Sequence, residues 1–174
     1  MILVYGGSSS GKSGFAEHLV CSTNIPTKYY LATMRYTEDT KERIHRHREL
    51  RKEKGFLTLE YDVDIARALK DRRPGAQGSA VLLECMSNLV ANEMFRDGGV
   101  IPVGQCVDKI LKDVETLERQ TSSLVIVSGN VFEDGVAYDE GTQNYIRALG
   151  MINRALAAMA DAVYEVVVGI GVKV

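Results

Sequence analysis

Cysteine is scarce and scattered: Cys21, Cys85 and Cys106 lie far apart and form no C-x-x-C pair. That excludes a disulfide framework and a zinc site of the usual spacing, and it fits a reducing compartment. No apolar run reaches the length of a membrane span. The opening stretch MILVY passes straight into glycines, so it reads as a strand and not as a leader peptide, and the expected location is the cytoplasm. An excess of either charge is missing too. With 21 basic and 23 acidic residues the net charge is −2, which gives no footing for nucleic acid or a membrane surface. An anionic ligand must therefore be held by a local site. Internal repeats are absent, and 174 residues suit a single domain spanning 1–174.

What the sequence does have is a phosphate-binding loop. Gly6-Gly7-Ser8-Ser9-Ser10-Gly11-Lys12-Ser13 matches G-x-x-x-x-G-K-[ST], with a strand before it and a helical stretch, GFAEHLVCS, after it. The glycines let successive backbone N–H groups curl around a polyphosphate, Lys12 reaches its β and γ oxygens, and the Ser13 hydroxyl faces Mg²⁺. The helix adds its positive N-terminal end. A Gly/Ser-rich turn without a ligand accounts less well for an eight-residue match in this setting.

Further along, KYYLAT (28–33) reads as a buried strand beside the first, with Tyr29 and Tyr30 as packing residues. Residues 37–54 form the most charged stretch, a helix opening on acids and closing on bases, with Ile44 and Leu50 its only apolar members. FLTLEYD suits a short strand or edge, DIARALK a helical turn or two, and DRRPGAQGS a surface loop. AVLLE is a buried strand leading into the helix CMSNLVANEMF, which Asp97-Gly98-Gly99 ends. Val103, Val107, Ile110, Leu111, Val114 and Leu117 keep helical spacing over 103–120. SLVIVS is the next strand, 129–142 an irregular loop, 143–160 an amphipathic helix and AVYEVVV a last long strand. Gly169 and Gly171 then allow a turn before VKV. The expected fold is α/β: a P-loop NTPase-type domain whose mostly parallel sheet carries helices on both faces and closes in a C-terminal antiparallel hairpin.

In such a sheet ligands gather at the carboxyl ends of the strands. Glu84 ends AVLLE, where it either holds Mg²⁺ as the acidic partner of the loop or caps the following helix. In the charged helix Arg43, His47 and Arg51 are spaced i, i+4, i+8 and share a face. Flanking guanidinium groups disfavour imidazolium, so His47 would remain neutral and nucleophilic towards phosphorus while the arginines grip phosphate oxygens. A solvated basic helix is the other reading of the same spacing. His18 and His45 have no comparable setting and are expected at the surface.

The chain as a whole resembles the bifunctional adenosylcobinamide kinase / adenosylcobinamide-phosphate guanylyltransferases of cobalamin nucleotide-loop assembly. The resemblance spans nearly the full length. It rests on ILVYGGSSSGKSGFAE, YLATM (30–34), RIHRHRELR (43–51), T-x-E (58–60), LLECMSNLVAN (82–92) and AMADAVYEVVVGIGVKV. It implies that His47 takes up GMP from GTP, and the residues fit both reactions, with the loop, Lys12 and Mg²⁺ neutralising the departing phosphates. It further implies that Gly6 to Ser13, Thr33, Met34, Arg48, Arg51, Glu60 and Glu84 bind the nucleotide, with Ser13 and Glu84 on Mg²⁺. Two stages follow: ATP or GTP phosphorylates adenosylcobinamide, and then GMP passes from GTP through His47 to that phosphate, releasing pyrophosphate. The family's propeller-shaped trimer implies a homo-oligomer. One region departs from the family pattern, since relatives carry an Asn-Glu pair after the fifth strand where this chain has Ser128-Gly129-Asn130, with Glu133 and Asp134 close behind.

Two other readings stand beside this one: a P-loop kinase of another small metabolite that forms no GMP adduct, and a nucleotide switch that binds GTP without needing His47. In the two-stage reading, the His47 helix is expected to move to meet the loop, leaving His47 far from Lys12 when no nucleotide is bound.

Overall fold

Strands buried on both faces must be apolar throughout, and they pay for that in sequence by losing the alternation that would mark a half-exposed strand. AVLL and LVIV are of this kind, and both lie at the centre of the sheet in the computed structural model. The structure describes residues 1–70, 78–96, 98–130 and 138–174; for Arg43, Arg46, His47 and Leu50 it describes the backbone. The elements are β1 (Ile2–Tyr5), α1 (Lys12–Cys21), β2 (Thr27–Ala32), α2 (Lys41–Arg51), β3 (Phe56–Glu60), a 3₁₀ turn (Ile65–Arg67) and β4 (Ser79–Glu84). They continue with α3 (Met86–Met94), α4 (Val103–Arg119), β5 (Ser123–Val127), α5 (Glu140–Met159), β6 (Ala162–Val167) and β7 (Ile170–Lys173).

Among the described residues these strands form one sheet in the order β3-β2-β4-β5-β1-β6-β7. All neighbours are parallel except β6 and β7, which make the predicted antiparallel hairpin. One face packs against α3, α4 and α5 through Leu3, Leu31, Leu83 and Ile126 of the sheet and Met86, Ile110, Val114 and Ile152 of the helices. The other face, with Val4, Tyr30, Leu82 and Val127, is covered by α1 through Ala16 and Val20. The expected α/β architecture with helices on both faces is therefore present.

Strand order corrects one expectation. β2 does not lie beside β1; it pairs with β3 and β4, while β1 sits between β5 and β6. Every buried parallel strand is apolar on both sides, so nothing in its residues marks which neighbour it takes. Element ends also shift. The charged helix begins at Lys41 because the Thr37 N–H bonds the Thr40 hydroxyl at 2.8 Å and Thr40 Oγ1 donates to the Arg35 carbonyl at 2.7 Å, holding 37–40 as a turn. The last helix begins at Glu140, earlier than its apolar pattern suggests, because the Asp139 side chain caps it by accepting from the Thr142 N–H at 3.0 Å. α3 ends at Met94, before Gly98, and Asp97 lies outside the described residues. DIARALK supplies only the short 3₁₀ turn, and most of the predicted DRRPGAQGS loop lies outside the described residues.

Candidate active site

The registers bring the carboxyl ends of the strands level. Glu60 of β3 pairs with Ala32 of β2, Ala32 with Glu84 of β4, Glu84 with Val127 of β5, and Val127 with Val4 of β1. Because side chains alternate along a strand, this row faces one way, towards the side covered by α1. Two carboxylates on that row therefore stand on the same side of the sheet as the phosphate loop.

The loop is held from both flanks. On one, the Asn130 N–H donates to the Gly6 carbonyl at 3.1 Å and the Ser128 N–H to the Val4 carbonyl at 2.9 Å. On the other, the Gly169 N–H, in the turn between β6 and β7, donates to the Ser10 carbonyl at 2.7 Å. Glycine is required at two loop positions. A Cβ on Gly6 would lie 2.6 Å from the Val166 carbonyl oxygen; one on Gly11, which has φ +90°, would lie 2.8 Å from Gly169 Cα. Lys12 Nζ bonds the Gly7 carbonyl at 2.7 Å, so its ammonium curls over the loop. Gly7, Ser8 and Ser9 are exposed, and Ser10 Oγ is buried without a hydrogen-bond partner.

Ser13, in the first turn of α1, donates its hydroxyl to Glu84 Oε1, while Glu84 Oε2 is buried and has no hydrogen-bond partner. A hydroxyl and a half-satisfied carboxylate make a hard oxygen donor pair, the kind Mg²⁺ takes. The α3 N-cap is Cys85, with no side-chain cap bond, so Glu84 is not its cap residue.

Arg51, at the end of α2, is 5% exposed, with its Nε and Nη1 unpartnered. Its guanidinium carbon lies 3.3 Å above the ring centroid of the buried Tyr30, a cation–π stack that offsets part of the cost of burying the charge. Burial, and next the Glu84 charge, push the Tyr30 hydroxyl pKa well up, so it stays protonated. Arg51 lines both a cleft of about 300 Å³, shared with Met34, Arg48, Thr58 and Glu60, and a smaller hollow of about 40 Å³ that opens onto Glu84. Arg48 pairs with Glu60 across the cleft. A buried guanidinium with two unpartnered nitrogens and, among the described residues, no carboxylate paired to it, lining a cleft at the strand ends, is the chemistry of an oxyanion site.

Thr33 is 0% exposed, and its hydroxyl is fully used: it donates to the Cys85 carbonyl and accepts from the Cys85 N–H, both at 2.8 Å. Asn92 donates to the carbonyls of Thr33 at 2.8 Å and Asp62 at 3.0 Å. Thr33 thus braces the segment carrying Met34 and Glu84 instead of reaching the cleft with its hydroxyl. Gly129 lies against α3, where a Cβ would come 2.9 Å from Ser87 Oγ, so a side chain there would require the Ser87 hydroxyl to turn away. Glu133, Asp134 and the side chains of Arg43 and His47 lie outside the described residues. His18 and His45 are exposed, as expected.

A second group of carboxylates, Asp64, Glu93 and Asp113, gathers between the 3₁₀ turn, α3 and α4. Lys109 sits among them, bonding Glu93 and reaching Asp64 at 3.0 Å and Asp113 at 2.9 Å, and Arg96 reaches Asp64 at 3.2 Å and Glu93 at 3.4 Å, so two cations already offset most of their charge. Burial would lower the Lys109 pKa, but its bonds to Glu93, Asp113 and Asp64 outweigh that and raise it. The cluster is an ion-pair tie between elements.

A sequence profile of the cobinamide kinase / cobinamide phosphate guanyltransferase family matches residues 2–174. The chain belongs to that family. It is 32% identical over 188 residues to the bifunctional adenosylcobalamin biosynthesis protein CobU of Salmonella typhimurium, an alignment covering 100% of this chain and 99% of the relative. Identity to CobU of Escherichia coli is 31% over 185 residues, covering 100% and 99%. To CobP of Pseudomonas aeruginosa it is 25% over 168 residues, covering 97% and 93%. Among solved structures, the flagellar accessory protein FlaH of Methanocaldococcus jannaschii superposes with a TM-score of 0.46 at 12% identity, covering 94% of this chain and 69% of FlaH. The family uses nucleoside triphosphates, and among the described residues no helix is long and apolar enough to cross a membrane.

Sequence alone missed Tyr30 as the platform under Arg51, Asn92 and Cys85 as the holders of Thr33, and the β6–β7 turn as a wall of the loop. Asn92 lay within a motif that carried the resemblance, but its bonding partners come from two other elements and left no local signal.

Proposed function

We propose that this chain phosphorylates adenosylcobinamide with ATP or GTP and then moves GMP from GTP to the new phosphate by way of a guanylyl group on His47. The products are adenosylcobinamide-GDP and pyrophosphate. The observation that carries this reading is the pairing of a phosphate loop with a buried, unpartnered Arg51 that lines the adjoining cleft. His47 stands one helical turn before Arg51 in α2, so a histidine and an oxyanion-binding arginine are offered from one stretch of helix.

The loop N–H groups and Lys12 bind the leaving phosphates, and Arg48 and Arg51 hold the transferred one. Ser13 and Glu84 would hold Mg²⁺, which when bound neutralises phosphate charge and orients the polyphosphate. Glu60 aligns Arg48, and Met34 borders the cleft. A covalent histidine intermediate divides nucleotidyl transfer into two displacements. A homo-oligomer, trimeric by the family resemblance, belongs to the same reading, and the exposed apolar Ile170 and Val172 on the edge strand β7 support self-association.

The test is mass spectrometry after incubation with Mg²⁺ and GTP. The protein should gain the mass of one GMP in an acid-labile bond, and His47→Asn should abolish the gain while GTP binding persists. No adduct despite intact GTP binding would rule out the histidine route.

A further inference from the structure

Val168 is out of place on conformational grounds. It occupies the left-handed region at φ +51°, although it is β-branched, and is 87% exposed. With Val167 paired to Ile170, Val168 and Gly169 (φ +83°) form a two-residue hairpin turn with both central residues at positive φ. Such turns favour Asn-Gly, so folding alone would place asparagine here. Exposure means that core packing does not explain the valine either. What distinguishes the turn is its position: the Gly169 N–H bonds the Ser10 carbonyl of the phosphate loop, and Gly169 Cα occupies the space that a Gly11 Cβ would need.

The chemistry supplies a use for an apolar surface on this flank. The two reactions of the family present opposite ends of a nucleotide to the acceptor. Phosphoryl transfer needs the γ-phosphate towards the cleft and the nucleoside away from it; guanylyl transfer needs the α-phosphorus towards the cleft, with the pyrophosphate leaving the other way. The cleft lies on the β4 and β2 side of the loop, with Glu84 and Arg51, while the β6–β7 turn lies on the opposite side of β1. We infer that Val168 is an apolar seat for the nucleoside of the phosphoryl donor, used in the kinase step and not in guanylyl transfer. Backbone strain is retained at a β-branched residue because its side chain contacts that ligand. This rests on the loop binding the nucleotides of both reactions.

The experiment compares the parent protein with Val168→Asn and Val168→Ile in three measurements. These are the KM of ATP for phosphorylating cobinamide, the KM of GTP for transferring GMP to cobinamide phosphate, and the thermal midpoint. Val168→Asn should raise the ATP KM roughly five- to tenfold through loss of apolar contact. It should leave the GTP KM of the second step within about twofold and raise the thermal midpoint by about 2–6 °C as the turn relaxes. Val168→Ile should keep the parent's ATP KM. An unchanged ATP KM in Val168→Asn overturns the inference, as does an equal rise in both KM values, which would mean that the turn acts only through the loop. A change in association state by light scattering, with the ATP KM unchanged, assigns Val168 to a subunit contact and also overturns it. If the parent protein catalyses neither step, the underlying reading of the loop fails, and that outcome is visible before any variant is compared.

Discussion

Arg51 shows how a single residue separates function from stability. A buried guanidinium with two unpartnered nitrogens is a cost to the fold, reduced by the Tyr30 stack but not removed. Replacing it with methionine, similar in length and apolar, should therefore leave unfolding free energy within about 1 kcal/mol of the parent in urea titrations. The same variant should slow GMP transfer at least roughly tenfold, because of the two arginines assigned to the phosphate only Arg48, already paired with Glu60, remains in the cleft to hold it. A large loss of stability would instead make Arg51 a structural residue. Arg51 was legible from spacing and from family resemblance, but its burial and its aromatic platform were not. Tyr30 looks like core in the sequence and is core in the structure, and its second role exists only because α2 ends above it.

At the scale of elements, the phosphate loop depends on two neighbours far away in the chain, the Asn130 segment and the β6–β7 turn. Gly11→Ala should push the loop off that turn, since it adds both a strained left-handed residue and a contact at 2.8 Å with backbone. The expected result is GTP affinity reduced more than roughly tenfold, measured by calorimetry, with far-ultraviolet circular dichroism unchanged. The loop itself was legible because its eight residues are contiguous and each has a local job. The existence of the strands and of α4 and α5 was legible for a related reason, since apolar runs and 3.6-residue periodicity are properties of one segment at a time. Strand order was not. β2 and β1 each read as a short apolar strand, and nothing within either segment marks which neighbours it takes. The starts of α2 and α5 were missed because Thr37–Thr40 bonding and the Asp139 cap act on hydrogen bonds, which hydrophobic spacing does not record.

The whole molecule is tied together by charge as well as by its apolar layers. Burial would raise the Asp64 carboxyl, but hydrogen bonds from Lys109 and Arg96 outweigh it and hold the pKa below the usual carboxylate range. A carboxyl with a lowered folded pKa stabilises the fold at any pH above its unfolded value and loses that contribution as pH falls through the folded one. Urea midpoints should therefore be level near neutrality and fall below about pH 4, and Asp64→Asn should flatten that fall while starting from a lower midpoint at pH 7. A slope unchanged in the variant would place the acid sensitivity elsewhere. The level row of Glu60, Ala32, Glu84, Val127 and Val4 has a further consequence for how the site comes apart. Its members sit at different depths, Glu60 on an edge strand and Glu84 and Val127 on central ones. Within this row, amide hydrogen exchange should be faster along β3 than along β4 and β5. Opening of β3 alone would remove the Glu60 partner of Arg48 and with it that wall of the cleft, while the Ser13–Glu84 bond, anchored on the central strand β4, stays in place.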